Sequence, residues 1–379
     1  MTTAELLWDL SGRLRVGIQD LQESQRRDVV AQLDPFPPGI GSLPPDLLLR
    51  GMPAVPASDL EELQGPARDG LRTARHRDGR LLVRYGRYWV SVPSPSDAQP
   101  QIELEAGLRP AACWSDVVRP VVQQRLHDTG AVAVHSAAVQ HDDGAILLAG
   151  WSESGKTEVA LALVERGARF LSDKWTIAGA DGEVSAFPVG VGIRGWALPA
   201  LPTLRSSLPA AARFRLSAAR VLTPATRPLQ STAVPGRLLS RVVQGLAGAV
   251  ELGGRVGVTP SAVRRAYADT ADPARRLPLR TVVVLVSGSS GAVQVRDQDP
   301  AWAAARLART GAYERRAFFD LQERGAYAGL DGRAGARDAS MRREQDLLQQ
   351  VFETADRVVS VSCPFPGDPG RVVDALAAS

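Results

Sequence analysis

The sequence predicts an α/β protein: a β-rich N-terminal domain, residues 1–110, then a larger α/β domain, residues 111–379, with a helical C-terminal elaboration. Three observations point there. Short alternating segments separated by proline-rich turns fill the first hundred residues, a strand rather than a helix pattern. An apolar strand pattern, a glycine-bounded loop and an apolar helix pattern follow one another over residues 145–166. A valine run at residues 281–287 precedes two amphipathic helix patterns and a final strand. At 379 residues the chain also exceeds the roughly 100 to 200 residues that one ordinary core organises.

Taken in order, residues 13–21, 46–52, 80–92 and 101–104 read as strands, and the prolines within residues 35–45 mark the turns between them. Residues 93–100, PSPSDAQP, cannot continue a ladder and read as a loop. Tyr85, Tyr88 and Trp89 read as a packed hairpin face. Residues 116–127 form a helix pattern and residues 131–140 alternate as one strand. Asp143-Gly144 is a strong hairpin signal that leads into a second strand, residues 145–149. A helix over residues 156–166 is closed by Gly167, and a short strand at residues 169–171 ends at Asp173. Beyond Trp196 the composition shifts toward alanine, arginine and proline. Helical pieces near residues 237–250 and 261–267 read as a cover or insertion, about residues 197–277. Residues 281–287 form a buried strand, 301–321 and 341–352 amphipathic helices, and 357–363 a last strand.

Composition excludes several classes. No apolar run approaches the roughly 18 residues that cross a bilayer. The first fourteen residues mix Glu5, Asp9 and Arg13 among apolar ones, unlike a secretory signal, so the expected location is the cytoplasm. Cys113 and Cys363 are the only cysteines and belong to no Cys/His cluster, which argues for packed thiols and against zinc. The net charge of +4 is spread along the chain and forms no stripe that would attract nucleic acid. Among 45 basic residues only Lys156 and Lys174 are lysine. In so arginine-rich a chain, a lysine is expected where a compact ammonium is needed.

Gly150-Trp151-Ser152-Glu153-Ser154-Gly155-Lys156-Thr157 matches the phosphate-loop pattern GxxxxGK[ST] completely. In that pattern backbone N–H groups cradle phosphates, lysine neutralises them, and the hydroxyl meets Mg²⁺. The preceding strand is expected to pair antiparallel with residues 131–140. If Asp143-Gly144 are the turn residues, position 135 faces 152; with Asp142-Asp143 at the tip it faces 150. Either register sets His135 beside the loop. Asp173, sixteen residues after Thr157 at the next strand end, is placed to meet a metal or an acceptor.

The run from His135 to Val139, the loop from Gly150 to Glu158, then Arg166-Gly167 and Ser172-Asp173 resemble the catalytic domain of bacterial HPr kinase/phosphorylase and its relatives, whose nucleotide fold is phosphoenolpyruvate-carboxykinase-like. The resemblance spans about residues 126–177. It implies binding of ATP and Mg²⁺ and phosphoryl transfer to a hydroxyl, with Lys156 and Thr157 on the phosphates and metal and His135 near the reacting group. Such kinases carry two adjacent aspartates after the helix; here the second position is Lys174. Asp173 is then the one carboxylate left to serve as base or metal ligand, with Lys174 an added cation near the phosphates.

The expected site is therefore Asp173, His135 and Lys174 for catalysis, Asp173 or His135 taking the acceptor proton, with Thr157 and Asp173 on Mg²⁺. Gly150, Ser152, Glu153, Ser154, Gly155, Lys156, Thr157, Glu158 and Arg194 are expected around ATP. Glu158 has the alternative of a carboxylate favoured by the helix dipole, and Arg194 that of a surface residue. The acceptor is a hydroxyl of a peptide, protein or small metabolite, recognised in part by the N-terminal domain; neither nucleic acid nor membrane is an expected partner. The other reading of the same residues is a nucleotide-binding regulatory or interaction protein in which Lys174 has ended catalysis.

Overall fold

Strand residues with one buried face dominate the first hundred positions and assemble into an eight-stranded sheet. The structure, a computed structural model, describes residues 4–40, 43–63, 71–216, 255–267, 269–288, 292–364 and 367–379. Its architecture is mixed α/β. Leu6–Leu10 (β1) and Leu14–Gln19 (β2) form an antiparallel pair. The helix Glu23–Gln32 (α1) is the crossover that lets Leu47–Met52 (β3) lie parallel to β2. Leu60–Glu62 (β4), Arg72–His76 (β5), Leu81–Tyr85 (β6), Tyr88–Val92 (β7) and Gln101–Glu105 (β8) then make an antiparallel meander, and β8 closes against β3 in parallel. Residues 80–92 are a hairpin, with Tyr85 opposite Tyr88. Its aromatics divide between faces: Tyr85 and Tyr88 pack on the main core, while Trp89 joins Met52, Ala74 and Leu82 on the other side. Four of these elements lay outside the expected pattern, β1, α1, β4 and β5. The polar run of α1 buries only Gln25 and Val29, too little for an apolar period to show.

The second sheet holds the phosphate loop. Pro110–Cys113 (α2) runs through a π-turn at Trp114–Val118 into Arg119–Asp128 (α3). Ala131–Val134 (β9) and Ser136–His141 (β10) are separate strands that break at His135, so the single strand expected over residues 131–140 is two. The break sends the chain to two places: β9 pairs with Thr176–Gly179, and β10 pairs with Gly144–Gly150 (β11). Both sides of this stretch are buried, and no Gly or Pro announces the bend.

After β11 come Lys156–Glu165 (α4), Arg169–Ser172 (β12), Thr176–Gly179 (β13), Glu183–Ala186 (β14) and Val191–Arg194 (β15). Gly167 follows α4 at φ 100°, the left-handed position of a helix stop. Pro202–Ser207 (α5), Arg255–Val258 (β16) and Pro260–Ala266 (α6) belong to the stretch expected as an insertion. The helix expected near residues 237–250 lies outside the described residues.

Leu277–Ser287 (β17) is the centre of this sheet, parallel to β11 on one side. Gln294–Asp297 (β18), Pro300–Glu314 (α7), Arg316–Tyr327 (α8), Ala336–Glu353 (α9), Arg357–Cys363 (β19) and Pro369–Ala377 (α10) complete the chain. β19 lies parallel to β17 on its other side. The helix expected over residues 301–321 is two helices, α7 and α8, broken at Arg315. Its guanidinium turns inward to a fully buried ion pair with Glu344 of α9. Gly311 makes room, because a Cβ there would run into the Glu344 carboxylate.

One buried apolar cluster runs from Trp8 through the second sheet to Val358; a second joins the opposite sheet face to α4 and α10. Cys113 and Cys363 are free and buried. Among the described residues no helix is long and apolar enough to cross a membrane.

Candidate functional site

The hairpin register decides what stands beside the phosphate loop. His141 pairs with Gly144 and Ser136 with Ala149, so Asp142-Asp143 is the tip and position 135 lies level with 150. The alternative, with Asp143-Gly144 as the turn, is not adopted. Asp142 takes the left-handed conformation at φ 50°. Gly144 serves close approach instead, since a Cβ there would meet the Arg280 side chain and lie 3.0 Å from the Pro278 carbonyl.

Gly150 ends β11 at φ 144°, and a Cβ on it would sit 2.6 Å from the Leu285 carbonyl and 2.9 Å from Ser154 Oγ. Only glycine lets the loop leave the sheet this tightly. Glu153 at φ 66° and Gly155 at φ 91° turn the backbone before α4, leaving the helix N-terminus facing the loop. Such a turn into a helix start is an anion cradle, because free N–H groups and the dipole both favour negative charge.

Lys156 is buried at 7% exposure, and its Nζ donates to the Gly150 carbonyl at 3.1 Å and the Trp151 carbonyl at 2.7 Å. Burial pushes its ammonium down from 10.5 to about 8, against the opposing pull of Asp173, Glu314, Glu158 and Glu153. Thr157 Oγ1 donates to Asp173 Oδ1 at 2.7 Å, which joins the helix start to the end of β12. Glu158, also buried, is pushed up to about 7, chiefly by desolvation. Arg194 of β15 forms an ion pair with Glu153. Ser154 is buried, and its Oγ has no hydrogen-bond partner among the described residues.

His135 sits at the break between β9 and β10, 6% exposed, its ring tilted against Trp175 at 5.0 Å between centroids. Its Nδ1 is without a partner among the described residues. Burial, then the charges of Lys156, Lys174 and Arg119, hold the imidazole well below its ordinary value. A neutral imidazole among three cations is a poor proton acceptor. Lys174 follows Asp173 at φ 64°, in a tight turn closed by the Trp175 N–H on the Asp173 carbonyl at 2.8 Å. Long side chains in this conformation are uncommon, and both Glu153 and Lys174 stand on this cleft.

One cleft gathers His135, Ser152, Glu153, Ser154, Gly155, Lys156, Thr157, Glu158, Asp173, Lys174 and Arg194, all residues expected from the sequence. Gly150 lies just beneath, its carbonyl held by Lys156. Two further residues line the cleft, Gly192 of β15 and Glu314 at the end of α7. Gly192 lies two residues before Arg194; for Glu314 the sequence carried no signal, because the helix break that presents it is not marked by Gly or Pro.

The donor set suits Mg²⁺. Thr157 and Asp173 offer a hydroxyl and a carboxylate oxygen 2.7 Å apart. Among the described residues no group of three or more His, Cys, Asp or Glu forms a protein-only metal cage. Mg²⁺ is held by one or two carboxylates together with phosphate oxygens, so this sparse set fits it. No family model matches the chain, and no curated protein matches it either.

Proposed function

We propose that the chain is an ATP- and Mg²⁺-dependent kinase of the HPr-kinase-like type, acting in the cytoplasm, that transfers the γ-phosphoryl group to a hydroxyl of a peptide, protein or small metabolite. The observation that carries this reading is the Thr157–Asp173 contact beside the buried Lys156 ammonium, all within one cleft at the start of α4. A glycine turn without a ligand would gain nothing from a desolvated lysine, whereas a triphosphate supplies the charge that Lys156 lacks.

In this reading the loop N–H groups and Lys156 hold the β and γ phosphates. Thr157 and Asp173 hold Mg²⁺, which when bound neutralises phosphate charge. Lys174 and Arg194 face the same space and place positive charge where negative charge develops during transfer. His135 orients groups at the loop from the strand break. The eight-stranded sheet is the surface proposed to help recognise the acceptor.

Consumption of ATP with and without hydroxyl-bearing acceptors, followed by mass spectrometry of the products, tests the reading. Acceptor-dependent ATP loss and a product heavier by one phosphate are expected. The specific feature favouring the second reading, a nucleotide-binding regulatory protein, is Lys174 in place of a second aspartate. MgATP binding without transfer to any acceptor class would support it.

A further inference from the structure

The residue that takes the acceptor's proton is open between Asp173 and His135 on sequence grounds. The geometry leaves neither well suited: Asp173 accepts from Thr157, and His135 is a neutral imidazole flanked by cations. Glu314 presents a third group. We propose that Glu314 is the acceptor-side base of the phosphoryl transfer, an inference that rests on the kinase reading above.

Several observations carry it. Glu314 lines the phosphate-loop cleft with His135, Asp173 and Lys174 and is half-buried. Its position is built from both sides. Tyr313 packs its ring against Trp151 of the phosphate loop, 4.8 Å between centroids, and Arg315 is anchored in the core by Glu344. The side chain between these two anchors is the one that faces the cleft.

Its surroundings are unusual for a structural carboxylate. It is the last residue of α7, where the helix dipole disfavours negative charge. Among the described residues it makes no hydrogen bond or ion pair, although Lys156 and Arg119 lie close enough to feel its charge. A carboxylate without a partner is repelled by a triphosphate, so its place in this cleft makes sense when it meets a proton donor. A hydroxyl acceptor is such a donor. Of the four carboxylates that line the cleft among the described residues, Glu153 pairs with Arg194, Asp173 accepts from Thr157 and Glu158 is buried at the start of α4, which leaves Glu314 to meet an acceptor.

In the step itself the acceptor oxygen bonds to the γ-phosphorus and the bond from that phosphorus to the β–γ bridging oxygen breaks. ADP leaves with that bond's electron pair, and the hydroxyl proton passes to the Glu314 carboxylate and then to water. A base of this kind contributes about 10²- to 10⁴-fold.

The experiment uses the full chain with MgATP and water as the acceptor, reading phosphate release at pH 7.5 and nucleotide affinity by calorimetry. Glu314→Gln should bind MgATP within about twofold of wild type and release phosphate about 100-fold more slowly. Glu314→Ala should behave alike and recover part of its rate with added formate, which a merely structural role would not allow. An unchanged rate in Glu314→Gln, or a Glu314→Ala rate that formate does not raise, would overturn the inference. So would a wild type that binds MgATP yet releases no phosphate, since a working base beside a γ-phosphate activates water too. Failure of wild type to bind MgATP at all would instead remove the kinase reading beneath it.

Discussion

Replacing Lys156 with methionine should change stability and nucleotide affinity in separable ways. The ammonium is buried, and its drop from 10.5 in the unfolded chain to about 8 in the fold corresponds to about 3 kcal/mol of unfavourable burial at neutral pH. Between pH 8 and 10.5 the unfolded chain holds more of this proton than the folded one, so stability rises with pH across that window. Below pH 8 the full penalty applies; above 10.5 it is gone. Methionine fills similar volume and carries no proton. The difference in unfolding free energy, wild type minus Lys156→Met, should therefore move by about 3 kcal/mol in favour of wild type from pH 7.5 to 10.5. Urea unfolding of both proteins at the two pH values reads it. At pH 7.5 the same substitution should weaken MgATP binding by about 10- to 150-fold, the worth of one charged hydrogen bond to phosphate. A stability difference that does not move with pH would refute the claim that this ammonium is held desolvated in wait for an anion.

Three further outcomes follow from neighbouring residues. Asp173→Asn keeps the contact shape with Thr157 but removes the charge, so Mg²⁺-dependent transfer should fall at least about 100-fold while metal-free ATP binding persists, as calorimetry with and without Mg²⁺ would read. Lys174→Ala should lower turnover much more than ATP affinity, and Lys174→Asp should do no better than Ala in steady-state kinetics; an Asp variant faster than wild type would mark the lysine as a damaging departure. Glu158, raised from 4.5 to about 7 by burial, favours its neutral form in the fold. The stability it contributes is full below pH 4.5 and is lost as pH rises through 7, about 3 kcal/mol in all. Glu158→Gln should lack this decline, visible as a smaller drop in Tm between pH 5 and 7.5.

Much of the site was legible because local chemistry imposes it. A loop that turns this sharply into a helix start needs Gly150 and Gly155, and the lysine and threonine that follow are set by helix geometry, so spacing alone located them. His135 was legible one level up, through hairpin pairing, and there the register stayed open. The tip residues are Asp142-Asp143 because Gly144 is needed for the approach of Arg280, a contact 136 residues away in sequence. The break at His135 was hidden for a similar reason. Strands β9 and β10 are buried from Ala131 to Gln140, so an apolar run cannot reveal where the chain changes partners. Glu314 was the least legible. It faces the cleft because Arg315 leaves the helix for Glu344 and Gly311 clears the way, which only the packing of α7 on α9 discloses.

Calorimetric titration of MgATP into the wild-type chain and Lys156→Met, in parallel with ATP lacking Mg²⁺, bears most directly on the proposed kinase. One MgATP per chain is expected, bound more weakly without the metal and at least about tenfold more weakly in the variant. No binding to wild type, or equal affinity in both proteins, would contradict it.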